Sequence, residues 1–287
     1  MHGTASSVTT LLGDAAARLV AALALTPREA RLEARVLAAF AWAREPAWLV
    51  AHDTDPVDST RRTAFDTLLL RRLAGEPIAY LTGTREFYGR SFRVSPDVLI
   101  PRPETELLVE LALARMLPDT PLEILDLGTG SGCVAITLAL ERPSARVTAV
   151  DRSAAALAIA RSNAARLGAA IDFQESDWFG ALRGRHFDII VGNPPYVAAA
   201  DPHLERGDVR FEPASALVAG KDGLDDLHRL IAAAPRFLTP GGCLLLEHGY
   251  DQAEAVRQVL CEWGFIRVSS WQDLAGTPRV SGGKLSE

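Results

Sequence analysis

The first 75 residues repeat apolar side chains at the spacing of amphipathic helices, with short polar breaks between the repeats. The pattern predicts helices over Leu11–Leu25, Arg28–Trp42 and Arg61–Leu73. Thr26 and Pro27 supply an N-cap and a first helical position for the second of these helices. We therefore predict a small helical bundle as a domain over residues 1–75.

The pattern changes in residues 76–103, where apolar and polar positions alternate around Gly89. Alternation on both sides of a glycine predicts a β-hairpin, which we interpret as a linker. Pro101, Arg102 and Pro103 then open a predicted helix that runs to about Met116, because proline is favoured at the first helical position. This stiff, charged segment is well placed to form a wall of an active site.

From residue 104 to 287 short apolar runs alternate with helical patterns. The predicted strands are Leu122–Leu127, Arg146–Asp151, Ile171–Gln174, Phe187–Val191, Cys243–Glu247, Phe265–Ser269 and Thr277–Gly282. The predicted helices between them are Gly132–Leu140, Ala154–Leu167, Leu224–Phe237 and Asp251–Glu262. Such alternation predicts an α/β domain over 104–287, in which ligands bind at the carboxyl ends of parallel strands.

The amino-acid composition limits the classes of protein to which this chain can belong. The 287 residues are 48% apolar, which is enough for two cores, and no apolar run is long enough to span a bilayer. No secretory leader pattern opens the chain, so we expect a soluble intracellular protein. Residues 101–287 carry 18 basic and 25 acidic side chains, which disfavours duplex nucleic acid as the main partner. Cys133, Cys243 and Cys261 are widely spaced, and we expect each to be a core residue.

A glycine-rich turn, Asp126-Leu127-Gly128-Thr129-Gly130-Ser131-Gly132, follows a predicted strand and opens a helix. Glycines allow a ligand to approach the backbone closely at a helix N-terminus. The spacing differs from the G-x-G-x-x-G of dinucleotide sites, which disfavours a nicotinamide cofactor. Asp151 ends the next predicted strand, where an acid can accept both hydroxyls of a ribose. A nucleoside cofactor is therefore predicted on Gly128, Thr129, Gly130, Ser131, Gly132 and Asp151.

A second polar turn, Ser176-Asp177-Trp178-Phe179, follows the third predicted strand of this region. Asp177 can accept a hydrogen bond from an adenine amino group while Trp178 or Phe179 covers the ring. The alternative is an Asx-turn with aromatic residues packed in the core.

The strand predicted over Phe187–Val191 stops at the corner Asn193-Pro194-Pro195-Tyr196. Proline fixes φ and removes the N–H, so this corner is stiff and the Asn193 side chain and Pro194 carbonyl are held in one arrangement. Rigid acceptors at the carboxyl end of a strand predict recognition of an N–H₂ group.

In this order and spacing, these four motifs resemble class I methyltransferases that use S-adenosylmethionine to methylate an amino nitrogen. Further segments narrow the likeness to the peptide chain release factor glutamine methyltransferases. They are Arg85–Gly89, Ile100–Glu106, Arg210–Pro213, Gly220–Leu224, Glu247–Gln252 and Asp273–Gly276. The resemblance covers about residues 75–285, and it departs from the family at His228 and His248.

The resemblance implies a Rossmann-like α/β fold with a mostly parallel seven-stranded sheet, a helical bundle and a hairpin linker. It implies transfer of a methyl group from S-adenosylmethionine to N5 of the glutamine in the Gly-Gly-Gln motif of release factors. Asn193, Pro194 and Tyr196 are then the catalytic residues, with Pro195 completing the substrate site and Asn193 also near the cofactor. Asn193 and the Pro194 carbonyl would each accept one amide N–H, and Tyr196 would stack on the amide.

The implied partner is a release factor docked by residues 1–75, with no direct nucleic-acid or membrane binding, no metal, a cytoplasmic location and a monomeric state. Three alternatives stay open. The corner could receive a glutamine of a ribosomal protein, or an adenine N6 group after base flipping. Alternatively, the chain could be a cofactor-sensing scaffold with a vestigial site.

Overall fold

The computed structural model describes residues 6–286, which form two compact units. The first unit holds the chain up to Gly83 together with Pro202–Phe211, and the second holds Thr84–Asp201 and the chain from Glu212 onward. The units change at 83/84, 201/202 and 211/212. The domain boundaries predicted at 75/76 and 103/104 stay a prediction. Residues 1–5 of the predicted 1–75 domain and residue 287 of the predicted 104–287 domain lie outside the described residues.

Helices form the first unit. Its helices are α1 (Val8–Leu23), α2 (Pro27–Ala41), α3 (Pro46–Ala51), α4 (Ser59–Leu73) and α5 (Ile78–Thr82). The Thr26 hydroxyl and the Glu29 carboxylate exchange hydrogen bonds with each other's backbone N–H, so a capping box fixes the start of α2. The short helices α3 and α5 were not predicted, because a helix of five or six residues is too short to show the helical spacing of apolar side chains.

A segment distant in sequence, Pro202–Phe211, packs within this first unit. Arg72 is only 4% exposed, and its guanidinium donates to Glu33 and to Asp208, each at 2.8 Å. Arg210 donates to the Ala74 carbonyl at 2.9 Å. A buried guanidinium needs such partners, so these bonds hold the segment in place.

The second unit is built on a sheet that has seven strands within the described residues, beside a separate hairpin. The hairpin is β1 (Thr84–Phe87) and β2 (Arg90–Arg93); the sheet strands are β3 (Glu123–Leu127), β4 (Arg146–Asp151), β5 (Asp172–Glu175), β6 (Phe187–Gly192), β7 (Leu238–Glu247), β8 (Phe265–Gln272) and β9 (Pro278–Leu285). The strand order is β5-β4-β3-β6-β7-β9-β8, and only the pairings of β9 with β7 and β8 are antiparallel. The predicted fold class, a mostly parallel seven-stranded α/β sheet, is confirmed.

Helices cover both faces of this sheet. They are α6 (Glu106–Leu113), α7 (Cys133–Glu141), α8 (Ala154–Leu167), α9 (Asp225–Ala233) and α10 (Ala253–Glu262). One core includes Leu108, Ile124 and Ile136, and a second core on the opposite face includes Leu125 and Leu230. Alternate residues of one strand therefore serve two cores, which explains the continuous apolar runs in the sequence. None of the helices in residues 6–286 is long and apolar enough to cross a membrane.

Several predicted boundaries and one burial prediction were wrong. The helix expected from Pro103 to Met116 opens as a 3-10 turn and ends as α6 at Leu113. The helix expected to reach Phe237 ends at Ala233, since Pro235 cannot continue the α-helical hydrogen bonds. Cys133 and Cys243 are buried, but Cys261 is exposed on α10.

Candidate active site

The carboxyl ends of four neighbouring parallel strands place the polar motifs in one row. The order β4-β3-β6-β7 brings Asp151, Gly128, Asn193 and Glu247 to the same edge of the sheet. Within the second unit the ends of β4, β3 and β6 border an open cleft of about 980 Å³, a volume that includes solvent-filled space at its mouth.

The glycine-rich turn has the backbone that its sequence predicts. Gly128 has a φ of +70°, and a Cβ there would lie 3.2 Å from the Trp178 ring. Gly132 has a φ of +83°, and a Cβ there would come within 2.8 Å of Ile136. A side chain at either position would be strained at these φ angles. Gly128 lines the cleft, whereas Gly132, which was predicted to bind the cofactor, is not among the cleft-lining residues and instead lets the turn pack closely against α7 and α8.

The rest of the turn is held by hydrogen bonds. The Thr129 hydroxyl donates to buried Asp126 at 2.7 Å, and the Ser131 carbonyl accepts from Asn163 at 2.9 Å. The Asn163 amide also donates to the Arg93 carbonyl at 3.0 Å and accepts from the Arg93 N–H at 2.7 Å, which ties the turn to β2. The turn is thus rigid on the side away from the cleft.

Asp151 lines the cleft at the end of β4. One carboxylate oxygen accepts from the Gly130 N–H and the other from the Ser153 N–H, both at 2.9 Å. Each oxygen retains a further acceptor site, because an ionised carboxylate has about four lone-pair sites. Asp151 therefore holds the glycine-rich turn and can still accept ribose hydroxyls, a role that stays a prediction.

Asp177 and Trp178 both line the cleft but differ in their partners. The Trp178 ring lies against Gly128, and its indole N–H donates to Asp226 at 3.2 Å, so the ring is fixed where it can cover a base. The Asp177 carboxylate is largely exposed and makes two hydrogen bonds to Arg229, at 2.6 and 3.1 Å. The predicted bond from an adenine amino group to Asp177 would share this carboxylate with Arg229.

The Asn193 side chain has one polar atom with a hydrogen-bond partner and one without. Its side-chain N–H₂ donates to the Thr105 hydroxyl at 3.2 Å, while its Oδ1 is buried and has no hydrogen-bond partner within residues 6–286. A buried acceptor without a partner costs about 1–3 kcal/mol. Asn193 itself lines the cleft, and an N–H donor that reached this atom would remove that cost.

The other corner residues are arranged around Asn193. Pro194 and Pro195 are buried, and Pro195 lines the cleft. The Tyr196 hydroxyl donates to Glu247 at 3.3 Å and its carbonyl accepts from Gln252 at 3.0 Å, so both ends of Tyr196 are fixed. Burial raises the pKa of the Tyr196 phenol. The predicted stacking of this ring on the substrate amide stays a prediction.

Sequence reasoning missed Thr105, which lines the cleft, and Glu247, which accepts a hydrogen bond from the Tyr196 hydroxyl. Burial raises the pKa of Glu247 to about 7, and hydrogen bonds from the Thr105 and Tyr196 hydroxyls lower it in part. The available signal for Glu247 was its place at the end of an apolar strand, the same signal that identified Asp151. Thr105 was visible only as a member of the proline-stiffened segment.

Another wall of the cleft comes from chain segments flanking the corner. Glu212 accepts from Arg102 and, at 3.1 Å, from the Ile100 N–H, and its side chain is fully buried. Arg152 donates to the Ser215 carbonyl at 3.0 Å. In the described part of the chain no three His, Cys, Asp or Glu residues are grouped so as to hold a metal ion.

Two known sequence families match this chain. Residues 10–83 match the PrmC N-terminal domain and residues 105–220 match the methyltransferase small domain. A release factor glutamine methyltransferase of Bordetella pertussis is 54% identical over 89% of this chain and 95% of its own length. The chain belongs to the release factor glutamine methyltransferase family. The resemblance drawn from the motifs is confirmed.

Other members of this family show the same extent of similarity. The protein of Burkholderia pseudomallei is 51% identical over 88% of this chain and 92% of its own length. The protein of Escherichia coli is 46% identical over the same shares of the two chains. The similarity therefore extends across both structural units.

Solved structures support the fold. A methyltransferase of Pyrococcus furiosus aligns with a TM-score of 0.54 and 18% identity over 77% of this chain and 100% of its own. A ribosomal RNA methyltransferase of T. thermophilus, solved with S-adenosylmethionine and guanosine, aligns with a TM-score of 0.53 and 22% identity over 70% of this chain and 49% of its own. At these identities the likeness concerns the sheet architecture alone.

Proposed function

We propose that this chain transfers a methyl group from S-adenosylmethionine to the side-chain amide nitrogen of the glutamine in the Gly-Gly-Gln motif of peptide chain release factors. The observation that carries the proposal is the buried Asn193 Oδ1, which lacks a hydrogen-bond partner in the described chain and sits on a proline-stiffened corner. A glutamine amide offers the two N–H groups that this corner is suited to receive.

The cofactor fits the residues that the cleft presents. Gly128 leaves the backbone open beside the cleft, Asp151 keeps acceptor sites for a ribose, and Trp178 presents a fixed aromatic ring. When bound, S-adenosylmethionine supplies a methyl group on a positively charged sulfur, with its own leaving group. Thr129, Gly130, Ser131 and Asp177 complete the lining on that side.

The chain's own contribution to the reaction is orientation. An amide nitrogen is a weak nucleophile, because its lone pair is delocalised into the carbonyl. Asn193 Oδ1 and the Pro194 carbonyl would each accept one N–H of the substrate, which fixes the amide plane, and Tyr196 would contact that plane. Orientation of this kind supplies up to about 7–11 kcal/mol in favourable cases. The proton released after transfer can pass to water, since a protonated amide is a strong acid.

The partner and location follow from this substrate. Release factors act in translation, so a cytoplasmic location is part of the proposal. The acidic balance of residues 101–287 supports a protein partner in preference to direct nucleic-acid binding. We also propose that the enzyme acts as a monomer, since both motifs and cleft lie within one unit of one chain.

Labelled cofactor identifies the substrate. S-adenosylmethionine with a labelled methyl group is incubated with the full chain and, in turn, with release factors, ribosomal proteins and DNA. We expect label on the glutamine of the Gly-Gly-Gln motif, located by mass spectrometry. Label on a ribosomal-protein glutamine or on adenine N6 would replace this function with the corresponding alternative, and absence of transfer to any of them would favour the scaffold alternative.

Asn193→Ala tests the role of the corner. We expect the rate of methyl transfer to fall about 10²–10³-fold, the effect of removing one preorganised group that positions the reacting atoms. The cofactor Kd, measured by calorimetry, should change only a few-fold. A loss of cofactor affinity as large as the loss in transfer rate would contradict the assignment of Asn193 to the substrate amide.

A further inference from the structure

The backbone of the corner Asn193–Tyr196 has few hydrogen-bond donors of its own. Pro194 and Pro195 have no N–H, so neither residue can donate to a neighbouring segment. Such a segment is held largely through its carbonyl oxygens, which need donors from elsewhere in the fold. A side-chain donor that reaches one of these carbonyls can therefore determine where the corner lies.

Gln252 supplies such a donor. It directly precedes α10 and is only 9% exposed. Its Nε2 donates to the Tyr196 carbonyl at 3.0 Å and to the Asp222 carbonyl at 3.3 Å, while its Oε1 accepts from the Gly249 N–H at 2.8 Å. One side chain thus joins three segments, which are the corner, the turn before α9 and the turn after β7.

These three partners permit one orientation of the Gln252 amide. Its N–H₂ end can only donate and its oxygen can only accept. If the amide were reversed, its oxygen would face two carbonyl oxygens and its N–H₂ would face the Gly249 N–H. All three hydrogen bonds would then be lost in a buried place, which is costly. The direction of the bond to Tyr196 is therefore fixed.

Gly223 shows how closely the backbone is packed around this bond. Its φ is +79°, and a Cβ there would overlap the Tyr196 carbonyl oxygen and lie 2.8 Å from Gln252 Nε2. Only glycine fits against the bond at this φ. The turn before α9 thus closes over the contact between Gln252 and Tyr196.

We propose that Gln252 is a positioning residue, which holds the Tyr196 backbone and thereby sets where Asn193 and Pro195 meet the substrate amide. The proposal rests on the proposed function and adds a residue on which its rate depends. Among the residues that the structure describes, Asn193 and Pro195 line the cleft and Gln252 does not. Gln252 therefore acts through the corner and not by contact with the substrate or the cofactor.

Gln252→Met tests this role, because methionine has a similar length and makes none of the three hydrogen bonds. With labelled S-adenosylmethionine and acceptor both saturating, we expect kcat to fall about 10–100-fold, the loss expected when a reacting group is misplaced by about 1 Å. The fall should be equal for a whole release factor and a short Gly-Gly-Gln peptide.

The binding constants of the same variant separate positioning from binding. KM for either acceptor and the Kd of S-adenosylhomocysteine should change less than about 3-fold, because the proposed effect is on the reacting geometry. An unchanged kcat, or a loss confined to KM for the whole factor, would overturn the proposal.

Gly223→Ala disturbs the same contact from the other side and should lower kcat within the same range. The double variant Gln252→Met/Gly223→Ala should be no slower than the slower single variant, because both changes act on one contact. If the two losses multiply, the residues act independently, and the link through the Tyr196 carbonyl is refuted.

Hydrogen exchange tests positioning without methyl transfer. The Val197 and Ala199 N–H groups, directly after the corner, donate to the Leu217 and Gly220 carbonyls. In Gln252→Met we expect these N–H groups to exchange at least about 10-fold faster, because their segment has lost its fixed point, while those of β3 keep wild-type rates. Equal acceleration throughout the second unit would indicate general loosening and would overturn the positioning role.

Thr239→Val is the matched control for loss of a side-chain hydrogen bond. The Thr239 hydroxyl donates to Asp188 Oδ1 at 2.9 Å near the start of β7, at the edge of the sheet opposite the cleft. This variant should lower the melting temperature and keep kcat. A comparable fall in kcat would show that lost stability is responsible and would refute the proposal. Failure of the wild-type chain to label any release factor would refute the proposed function instead, and the exchange rates would still decide whether Gln252 holds the corner.

Discussion

At the scale of single residues, Asp151 combines two tasks that its position in the sequence could not separate. Its carboxylate accepts the Gly130 and Ser153 N–H groups and faces the cleft at the end of β4. We expect Asp151→Ala to raise the cofactor Kd about 10–100-fold, since hydrogen bonds to charged groups contribute about 1.5–3 kcal/mol. Calorimetric titration with S-adenosylhomocysteine measures this directly.

The control is Glu175→Ala, at the end of the neighbouring strand β5, where the side chain is exposed. Its cofactor Kd should equal that of the wild type. At saturating cofactor, Asp151→Ala should recover most of the wild-type rate of transfer. A variant that binds cofactor normally and is slow only in turnover would exclude Asp151 as a ribose ligand.

At the scale of elements, two parallel strands end in buried carboxyl groups. Burial raises the pKa of Asp126, at the end of β3, to about 7, and it raises the pKa of Glu247, at the end of β7, to about 7. The ordinary values are 3.8 and 4.5. For Glu247, burial is the largest influence and raises the pKa, and the Glu104 charge raises it further. The hydroxyl hydrogen bonds and the Arg279 charge lower the pKa, but by less than burial raises it.

This raised pKa gives stability a defined pH dependence. Between about pH 4.5 and 7 the folded chain holds a proton on Glu247 that the unfolded chain has lost. The contribution of Glu247 to the free energy of unfolding is therefore fully present below about pH 4.5. It is lost as the pH rises through about 7. Relative to wild type, Glu247→Gln should gain up to about 3 kcal/mol in the free energy of unfolding between pH 5 and 8.

Urea unfolding at several pH values measures this difference, and comparison with wild type cancels the titration of all other groups. Glu45→Gln, which alters an exposed glutamate, should show a constant difference across the range. A constant difference for Glu247→Gln too would mean that Glu247 is ionised throughout and that hydrogen bonds outweigh burial.

At the scale of the whole molecule, we propose that the helical first unit docks the release factor, as the predicted role of residues 1–75 implies. Leu32 and Phe40 on α2 are 63% and 50% exposed, although they are large apolar residues. We expect the double variant Leu32→Ser/Phe40→Ser to raise KM for the whole release factor several-fold, because lost apolar burial weakens docking. Steady-state kinetics with the factor as varied substrate measures this change.

Transfer to a short Gly-Gly-Gln peptide and the cofactor Kd should stay at their wild-type values in this double variant. Leu117→Ser, which removes a 72% exposed leucine of the second unit, serves as the control. An unchanged KM for the whole factor would contradict docking through this face of α2.

The sequence by itself determined the longer helices, the sheet strands, the fold class and the motifs of the candidate site. Helical periods and apolar runs depend on neighbouring residues, and proline and glycine restrict the backbone locally, so Gly128–Gly132 and Asn193–Tyr196 were recognisable without a structure. Parallel strands also end at one edge of a sheet, which is why Asp151 and Asn193 could be placed together in advance.

Only the tertiary structure decided which partners these side chains have. Segment 202–211 joins the helical unit, Asp177 pairs with Arg229, and the Asn193 amide donates to Thr105, 88 positions earlier in the chain. Local patterns carry no record of such contacts, because burial and hydrogen bonding depend on strand order and side-chain direction. The pairing of the Asp177 carboxylate and of the Asn193 amide is therefore a property of the folded chain.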